Sequence, residues 1–320
     1  MIIRLGYVAM TLNLKDSSPS KTVTVTTYNK IDSDEGKRIR LAKITRTNLE
    51  NTLRILRYNL AHEIEVYRFT SKLVPLATYT PVVDWNYQLD FAEEFKQIGD
   101  FVKENNFRIS AHPDHFTLIN SPEPKVFQDS LRDLDYHYKV YHTMGLEDRK
   151  YKLILHVGGM YGNKESSVQR FMNNYKKLPS YLHDKLIIEN DDKTYTANDV
   201  LAICTQLKVP MVFDVHHYQC NNEGEKIIDV LPSIFDTWND EYFNPKIHFS
   251  SPKNEKQFRS HADDIDIDEF VKFLKIAKEL DRDFDIMLEA KNKDNALFNL
   301  MEKLQNIQGV KIINQSTIEY

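Results

Sequence analysis

Six residues of metal-binding type, His112, His156, Glu189, Asp214, His248 and Glu289, are scattered along the chain, yet each falls at or near the end of a different short apolar run. Imidazole and carboxylate without thiolate suit Mn²⁺, Zn²⁺ or Fe²⁺ and leave the choice among them open. Brought together without cations, such groups would repel one another and lose hydration, so their convergence itself implies bound metal. Two loops extend the set: His217 follows Asp214 in FDVHHY, and His261 with Asp263 lies in RSHADD. Nine candidates exceed the needs of one tetrahedral zinc and suit two or three ions that share a carboxylate. Glu189, midway through the series, is the expected bridge. Adjacent side chains of extended backbone face opposite ways, so only one of His216 and His217 can turn toward the cluster. His217 is favoured, with His216 the alternative if the strand runs on in register with Asp214. Lys246 shares a face with His248, where an ammonium beside cations must be neutral, paired with a carboxylate, or converted into an anion. Snorkelling to solvent at the rim is the plainer alternative for it.

The elements that must position these residues follow from periodicity. Apolar runs at 2–8, 65–70, 107–112, 151–157, 185–190, 210–215, 245–249 and 284–290 read as strands, several of them continuous enough to be buried on both faces. Helical patterns intervene at about 38–60, 88–105, 125–144, 165–178, 196–207, 225–238, 266–280 and 293–306. Eight strands, each followed by a helix, make an α/β fold of the single (β/α)8 TIM barrel type, whose strand C-termini converge on one face. A doubly wound open sheet would call for a Gly-rich turn after the first strand, where this chain has VAMTLNL. No repeat or linker divides the sequence, so residues 1–320 are expected to form one domain. The long connections 10–37 and 250–265 are expected to shape the mouth of the site.

Composition narrows the class. With 320 residues, 41% hydrophobic and 28% charged, 9 Gly and 11 Pro, the chain is neither collagen-like nor disordered. A formal charge of −5 argues against a nonspecific nucleic-acid coat, but not against a nucleic-acid enzyme whose carboxylates hold dications. Cys204 and Cys220 match no disulfide, zinc or redox pattern, and MIIRLGYVAM is neither a secretory signal nor a spanning helix. A soluble cytoplasmic protein, without membrane association or an obligate protein partner, is expected.

The segments RLGYVAM, NLAHEIEVYRFTSKLVP, ISAHPDHF, LHVGGMYGNK, IIEND, FDVHHY, PKIHFSS, SHADDID and IMLEAKNKD occur in an order that resembles the UV damage endonucleases, a family similar in fold and metal site to the endonuclease IV group of abasic-site nucleases. The resemblance spans nearly the whole chain. It implies a TIM barrel with two to three divalent ions, Mn²⁺ first and Zn²⁺ next. It also implies double-stranded DNA carrying UV lesions as partner, and ATP-independent single-strand incision immediately 5′ of photoproducts. The ligands it implies are His112, His156, Glu189, Asp214, His217, His248, His261 and Glu289, with Lys246 carboxylated. His115 and Phe116 occupy the positions that probe the lesion, where many members carry Gln and Tyr. Two further departures are Glu63, where Gly is common, and VAMT, where a polar residue such as Asn is expected.

On this reading His112 and His156 complete the shell of one ion, Asp214, His248 and Glu289 hold a second, and His217 and His261, helped by Asp263, hold a third. The products would be a 3′-hydroxyl and a 5′-phosphate. Because photoproduct bases stack poorly, they are cheaper to extrude, and His115, Phe116, Tyr7 and Tyr161 are the side chains expected to fill the gap. Arg68, Lys164, Lys253 and Arg259 are the expected phosphate contacts. The competing readings are a metal-dependent sugar isomerase or epimerase on the same barrel, and a damage-binding protein without catalysis.

Overall fold

In the computed structural model, which describes residues 1–79 and 82–320, eight parallel strands stand side by side in chain order. They are β1 (Ile2–Val8), β2 (Val66–Phe69), β3 (Arg108–Ala111), β4 (Lys152–His156), β5 (Leu186–Glu189), β6 (Met211–Asp214), β7 (Lys246–Phe249) and β8 (Phe284–Leu288). β1 pairs with β2 on one side and β8 on the other, which closes the ring into a (β/α)8 barrel. β3, β5, β6, β7 and β8 are buried at every residue, as expected of strands covered by helices outside and side chains within.

The principal helices are Asp34–Ala61, Ala92–Glu104, Pro124–Thr143, Lys164–Tyr175, Ala197–Leu207, Ile227–Asp236, Ile267–Lys278 and Lys293–Leu304, close to the periodic stretches in the sequence. Their starts are chemically marked. Ser33 accepts from the Gly36 amide, Asp266 accepts from the Glu269 amide, and Thr196 with Asp199 forms a reciprocal capping box. Each such cap contributes about 1 kcal/mol.

Side-chain alternation sorts the barrel interior into layers. Near the strand starts lie Arg4, Arg108 and Asp285. Ile154, Ile187 and Val212 form an apolar layer with Trp238. One step further along the same strand faces come His156, Glu189 and Asp214, at the C-terminal mouth.

Two short strands have no counterpart in the expected pattern: β9 (Lys311–Ile312) and β10 (Thr317–Glu319). β10 pairs antiparallel with Ile2–Arg4, covering the part of β1 that β2 leaves open, because β2 meets β1 only from Gly6 to Val8. Glu63 keeps the left-handed backbone that glycine would favour, with φ +56°. Its backbone carbonyl accepts from Ser316, and its carboxylate accepts from the Gln315 amide at 3.2 Å. The departure from Gly therefore supplies an anchor for the segment leading into β10.

The connection after β1 is fastened on two sides. Asn48 donates to the carbonyls of Lys21, Lys72 and Leu73, and Asn51 to those of Asp16 and Ser18. Buried Asp294 accepts from the Leu12 amide at 2.8 Å, from Asn13 Nδ2 at 2.8 Å, from Tyr58 at 3.0 Å and from the Thr11 hydroxyl. No helix among the described residues is long and apolar enough to cross a membrane.

Candidate metal centre

Glu189 ends β5 at the mouth, buried to 1% exposure, and imidazoles from β3, β4 and β7 or their ends approach its carboxylate. His112 Nε2 lies 3.2 Å from Oε2 and His156 Nε2 3.6 Å from the same oxygen, while His248 Nδ1 lies 2.8 Å from Oε1. His248 Nδ1 also stands 3.2 Å from Glu289 Oε1. Two sets of donors result: His112, His156 and Glu189 form one, and Glu189, Asp214, His248 and Glu289 the other. Within each set the donor atoms lie within 4.8 Å of one another. Glu189 belongs to both.

Several features fit cations at these positions. His112 Nδ1 faces the Pro113 carbonyl at 2.9 Å, and His217 Nδ1 faces the Asn190 carbonyl at 3.0 Å. With those nitrogens donating, Nε2 of each ring is left as the free donor a metal requires, the usual arrangement behind a ligating histidine. Asp214 Oδ2 and His248 Nε2 are buried without a hydrogen-bond partner, a condition that is costly unless something else pairs with them. The set of nitrogen and oxygen donors suits a divalent ion of intermediate hardness.

Electrostatics agrees with the geometry. Burial lowers the pKa of His156 and of His248, which favours the neutral, ligating form. Burial also pushes Asp214 up to about 8, with Glu189 and Glu289 adding repulsion. For His217 burial acts in the opposite direction, yet the carboxylates of Asp214, Glu189 and Glu289 outweigh it and raise the imidazole to about 9. The Asp214–His217 pair is thus disposed to retain a proton near neutral pH that a cation would displace. Glu289 is held low despite burial, chiefly by the Arg68 guanidinium that donates to it.

The segment after Asp214 is not extended. A short helix, Val215–Cys220, starts there, and Asp214 Oδ1 caps it by accepting from the His217 amide at 2.7 Å. The premise of strict alternation therefore fails, because the carboxylate ends the strand. His217 turns toward Asp214 Oδ2, at 3.8 Å, and Glu189 Oε1, at 3.6 Å. The alternative, His216, is corrected: both its ring nitrogens are engaged, with the Phe258 carbonyl and the Ser250 hydroxyl.

Other expected residues fall as follows. His261 stands beside the second donor set, with Nδ1 3.8 Å from Glu289 Oε2. Asp263 does not join the cluster; its carboxylate is exposed and faces Lys291 at 4.0 Å. Lys246 does not snorkel. It is buried inside the barrel and donates to Ser110 Oγ at 2.8 Å, and burial, with Arg108 nearby, takes its amine well below the ordinary range. Tyr7 is a correction as well: it is fully buried, donates to Asn59 and packs edge-on against Tyr67, so it cannot enter DNA. His115 and Phe116 do protrude, Phe116 with 46% exposure, and Tyr161 is exposed on the loop after β4. Arg68 faces the cluster through Glu289. Lys164 pairs with Asp199, Arg259 pairs with Asp192, and Lys253 is exposed. Thr11 of VAMT is buried against Asp294, and Asn13, two residues on, is an exposed polar side chain on that loop.

Two supporting residues escape a reading of the sequence. Asn190 exchanges hydrogen bonds with the backbone of Asp214, at 3.0 and 2.9 Å, and fixes the strand end that carries the carboxylate. Asp294 fixes the loop after β1. The sequence offers a weak signal for the first, since Asn190 directly follows Glu189, and none for the second.

The model of the family described as UV-endonuclease UvdE matches residues 3–320. A UV DNA damage endonuclease of Bacillus thuringiensis subsp. konkukian (strain 97-27) is 46% identical over 321 residues, covering 100% of both chains. The crystal structure of SacUVDE superposes with a TM-score of 0.84 at 33% identity, over 95% of this chain and 98% of that one. A D-tagatose 3-epimerase-like protein superposes with a TM-score of 0.53 at 14% identity, over 78% of this chain and 90% of that one, a likeness of fold alone.

Proposed function

The chain belongs to the UV-endonuclease UvdE family, and from that membership we propose that it is a DNA repair endonuclease acting on duplexes damaged by ultraviolet light. The reading extends to metal-dependent, ATP-independent incision of one strand immediately 5′ of a photoproduct, leaving a 3′-hydroxyl and a 5′-phosphate. The observation that carries it is the convergence of eight imidazoles and carboxylates at one barrel mouth, with Asp214 Oδ2 and His248 Nε2 buried and unpaired.

His112 and His156 with Glu189 would hold one divalent ion, and Glu189, Asp214, His248 and Glu289 a second. His217 and His261 would hold a third. Bound there, such ions neutralise phosphate oxygens, lower the pKa of coordinated water and stabilise a departing 3′ oxygen. Manganese is the ion we favour, with zinc as the alternative. The protein's own part is positional. The backbone carbonyls of Pro113 and Asn190 orient two imidazoles, Asn190 fixes Asp214, and Arg68 holds Glu289 while bringing a guanidinium to where a phosphate would dock. Lys246, which burial, Arg108 and Arg68 push toward the neutral form, fits the carboxylated lysine that the resemblance implies: a neutral amine bonding to CO₂ releases one proton to solvent, and the carbamate anion formed would lie among cations.

Lesion recognition falls to Phe116 and His115, whose exposed rings can occupy the space of a poorly stacked base step. Residues 1–320 are read as one domain, working in the cytoplasm on nucleoid DNA. The epimerase reading rests on fold alone and is not retained.

The test is incubation of purified protein and Mn²⁺ or Zn²⁺ with a labelled duplex bearing one cyclobutane dimer, with the break mapped on a sequencing gel. A nick 5′ of the dimer that disappears in Glu189→Gln supports the assignment. Wild-type protein that leaves the strand whole with every divalent ion removes it, and binding without cutting would turn the protein into a damage sensor.

A further inference from the structure

His216 is a buried imidazole that the proposed chemistry does not use. Its Nε2 lies 2.7 Å from the Phe258 carbonyl and its Nδ1 2.9 Å from Ser250 Oγ. Since a carbonyl can only accept, Nε2 carries the proton and Nδ1 accepts from the serine. This bond pins a hairpin that leaves β7 and returns to the metal centre. Lys253 N donates to the Ser260 carbonyl at 2.7 Å, Ala262 N donates to that of Ser251 at 2.8 Å, and Pro252 pairs with His261 across the strands. At the tip, Asn254 caps the single turn Glu255–Gln257.

The hairpin has one root in the cluster, through His261, and presents Phe258 outward. Phe258 is 40% exposed although its backbone is locked from below and its ring stands edge-on to His216 at 5.8 Å. Lys253 and Lys256 are exposed on the same hairpin, and the neighbouring Arg259, also exposed, pairs with Asp192. Phe258 thus offers an aromatic face to solvent on a backbone fixed by His216. β7 stands four places from β3 in the eight-membered ring, so the loops that carry Phe258 and Phe116 leave opposite strands of the barrel.

We propose that Phe258 is a stacking platform for a base of the damaged duplex, on the rim opposite Phe116, and that His216 is its positioning residue. An aromatic face flanked by cations is the chemistry of single-stranded nucleic acid: the ring takes any base, and the cations take the adjoining phosphates. A photoproduct leaves bases on both sides of the scissile linkage short of stacking partners. Two aromatic rings on opposite rims would hold both sides while the cluster faces the phosphate between them. The proposal rests on the endonuclease reading above and adds a specificity element to it.

The experiment uses the metal-loaded protein and a duplex carrying one cyclobutane dimer with 2-aminopurine beside it in the same strand. Phe258→Ala is expected to raise KM by roughly five- to 150-fold, the range for losing one base–aromatic stack, while kcat changes far less. In a single turnover the 2-aminopurine should emit more strongly with Phe258→Ala than with wild type, and Phe258→Trp should restore both KM and quenching. His216→Leu should raise KM in the same way with metal content per chain unchanged, and His216→Gln, whose amide can still donate to the Phe258 carbonyl, should recover it. Tyr242→Ala, at a still more exposed aromatic before β7, at the opposite end of the barrel, should match wild type. If wild type cuts but Phe258→Ala equals it in KM and emission, the stacking platform is overturned while the endonuclease stands. If His216→Leu loses metal, His216 supports the cluster and its positioning role is overturned. If wild type does not cut at all, the endonuclease reading falls first.

Discussion

The two ends of the barrel interior hold buried charge in opposite ways. At the N-terminal end Asp285 accepts from Arg4 through both oxygens, at 2.7 Å each, and from Arg108 at 2.5 Å, so these three groups are paired by the chain itself. Glu65 takes the remaining reach of Arg4 at 2.8 Å. At the C-terminal end Glu189, Asp214 and Glu289 crowd against five imidazoles, yet Asp214 Oδ2 and His248 Nε2 stay bare. Buried ions persist where they are paired, and a cluster left unfinished by the protein is one that a ligand must complete. The lower end therefore serves to hold the barrel together, and the upper end is reserved for chemistry.

The comparison can be broken most decisively by chelation. Removing divalent ions should abolish incision, a loss of at least about a thousandfold given what such ions supply, while the far-UV circular dichroism spectrum is retained. Unfolding on chelation would mean that the upper end also carries the fold. Next in size, Asp285→Ala strands Arg108 in the interior and should cost about 3–5 kcal/mol in denaturant unfolding, with no change in metal per chain by elemental analysis.

A smaller effect concerns pH. Asp214 and His217 retain protons up to about 8 and about 9, and a cation binds only their deprotonated forms. Raising the pH from 7 toward 9 should therefore tighten metal binding, up to about tenfold per unit for each proton released, as read by calorimetry in buffers of different ionisation enthalpy. Affinity that is flat or falls over this range would contradict the proton inventory of the upper end. The smallest effect is expected for Tyr7→Phe, which removes one buried hydrogen bond to Asn59 and should cost about 1 kcal/mol without altering affinity for a lesion duplex.

Much of this contrast is legible in the sequence, and for a definite reason. A strand buried on both faces is a continuous apolar run, so a His, Asp or Glu at its end stands out, and the barrel rule gathers all such ends on one face. The six strand-end candidates follow from that alone, whereas His217 and His261 lie beyond the strands. What stays hidden depends on contacts between distant segments. Tyr7 reads equally well as a rim or a core aromatic until Asn59 and Tyr67 are placed around it. The choice between His216 and His217 turns on a helix that begins because Asp214 caps it, a local hydrogen bond that no hydrophobic period announces. Asp263 lies next to the right histidine but on a loop whose fold points it outward, and β9 and β10 are too short to carry a periodic signal.

Ring closure by β1 against β8 also sets an order of events during folding. The proposed ligands come from β3 through β8 and the loops that follow them, so the set is complete only when Glu289 arrives with the eighth strand. Cation capture is thus a late reporter of assembly: on refolding, helix content should recover first, and the metal signal should lag until β8 has joined the sheet.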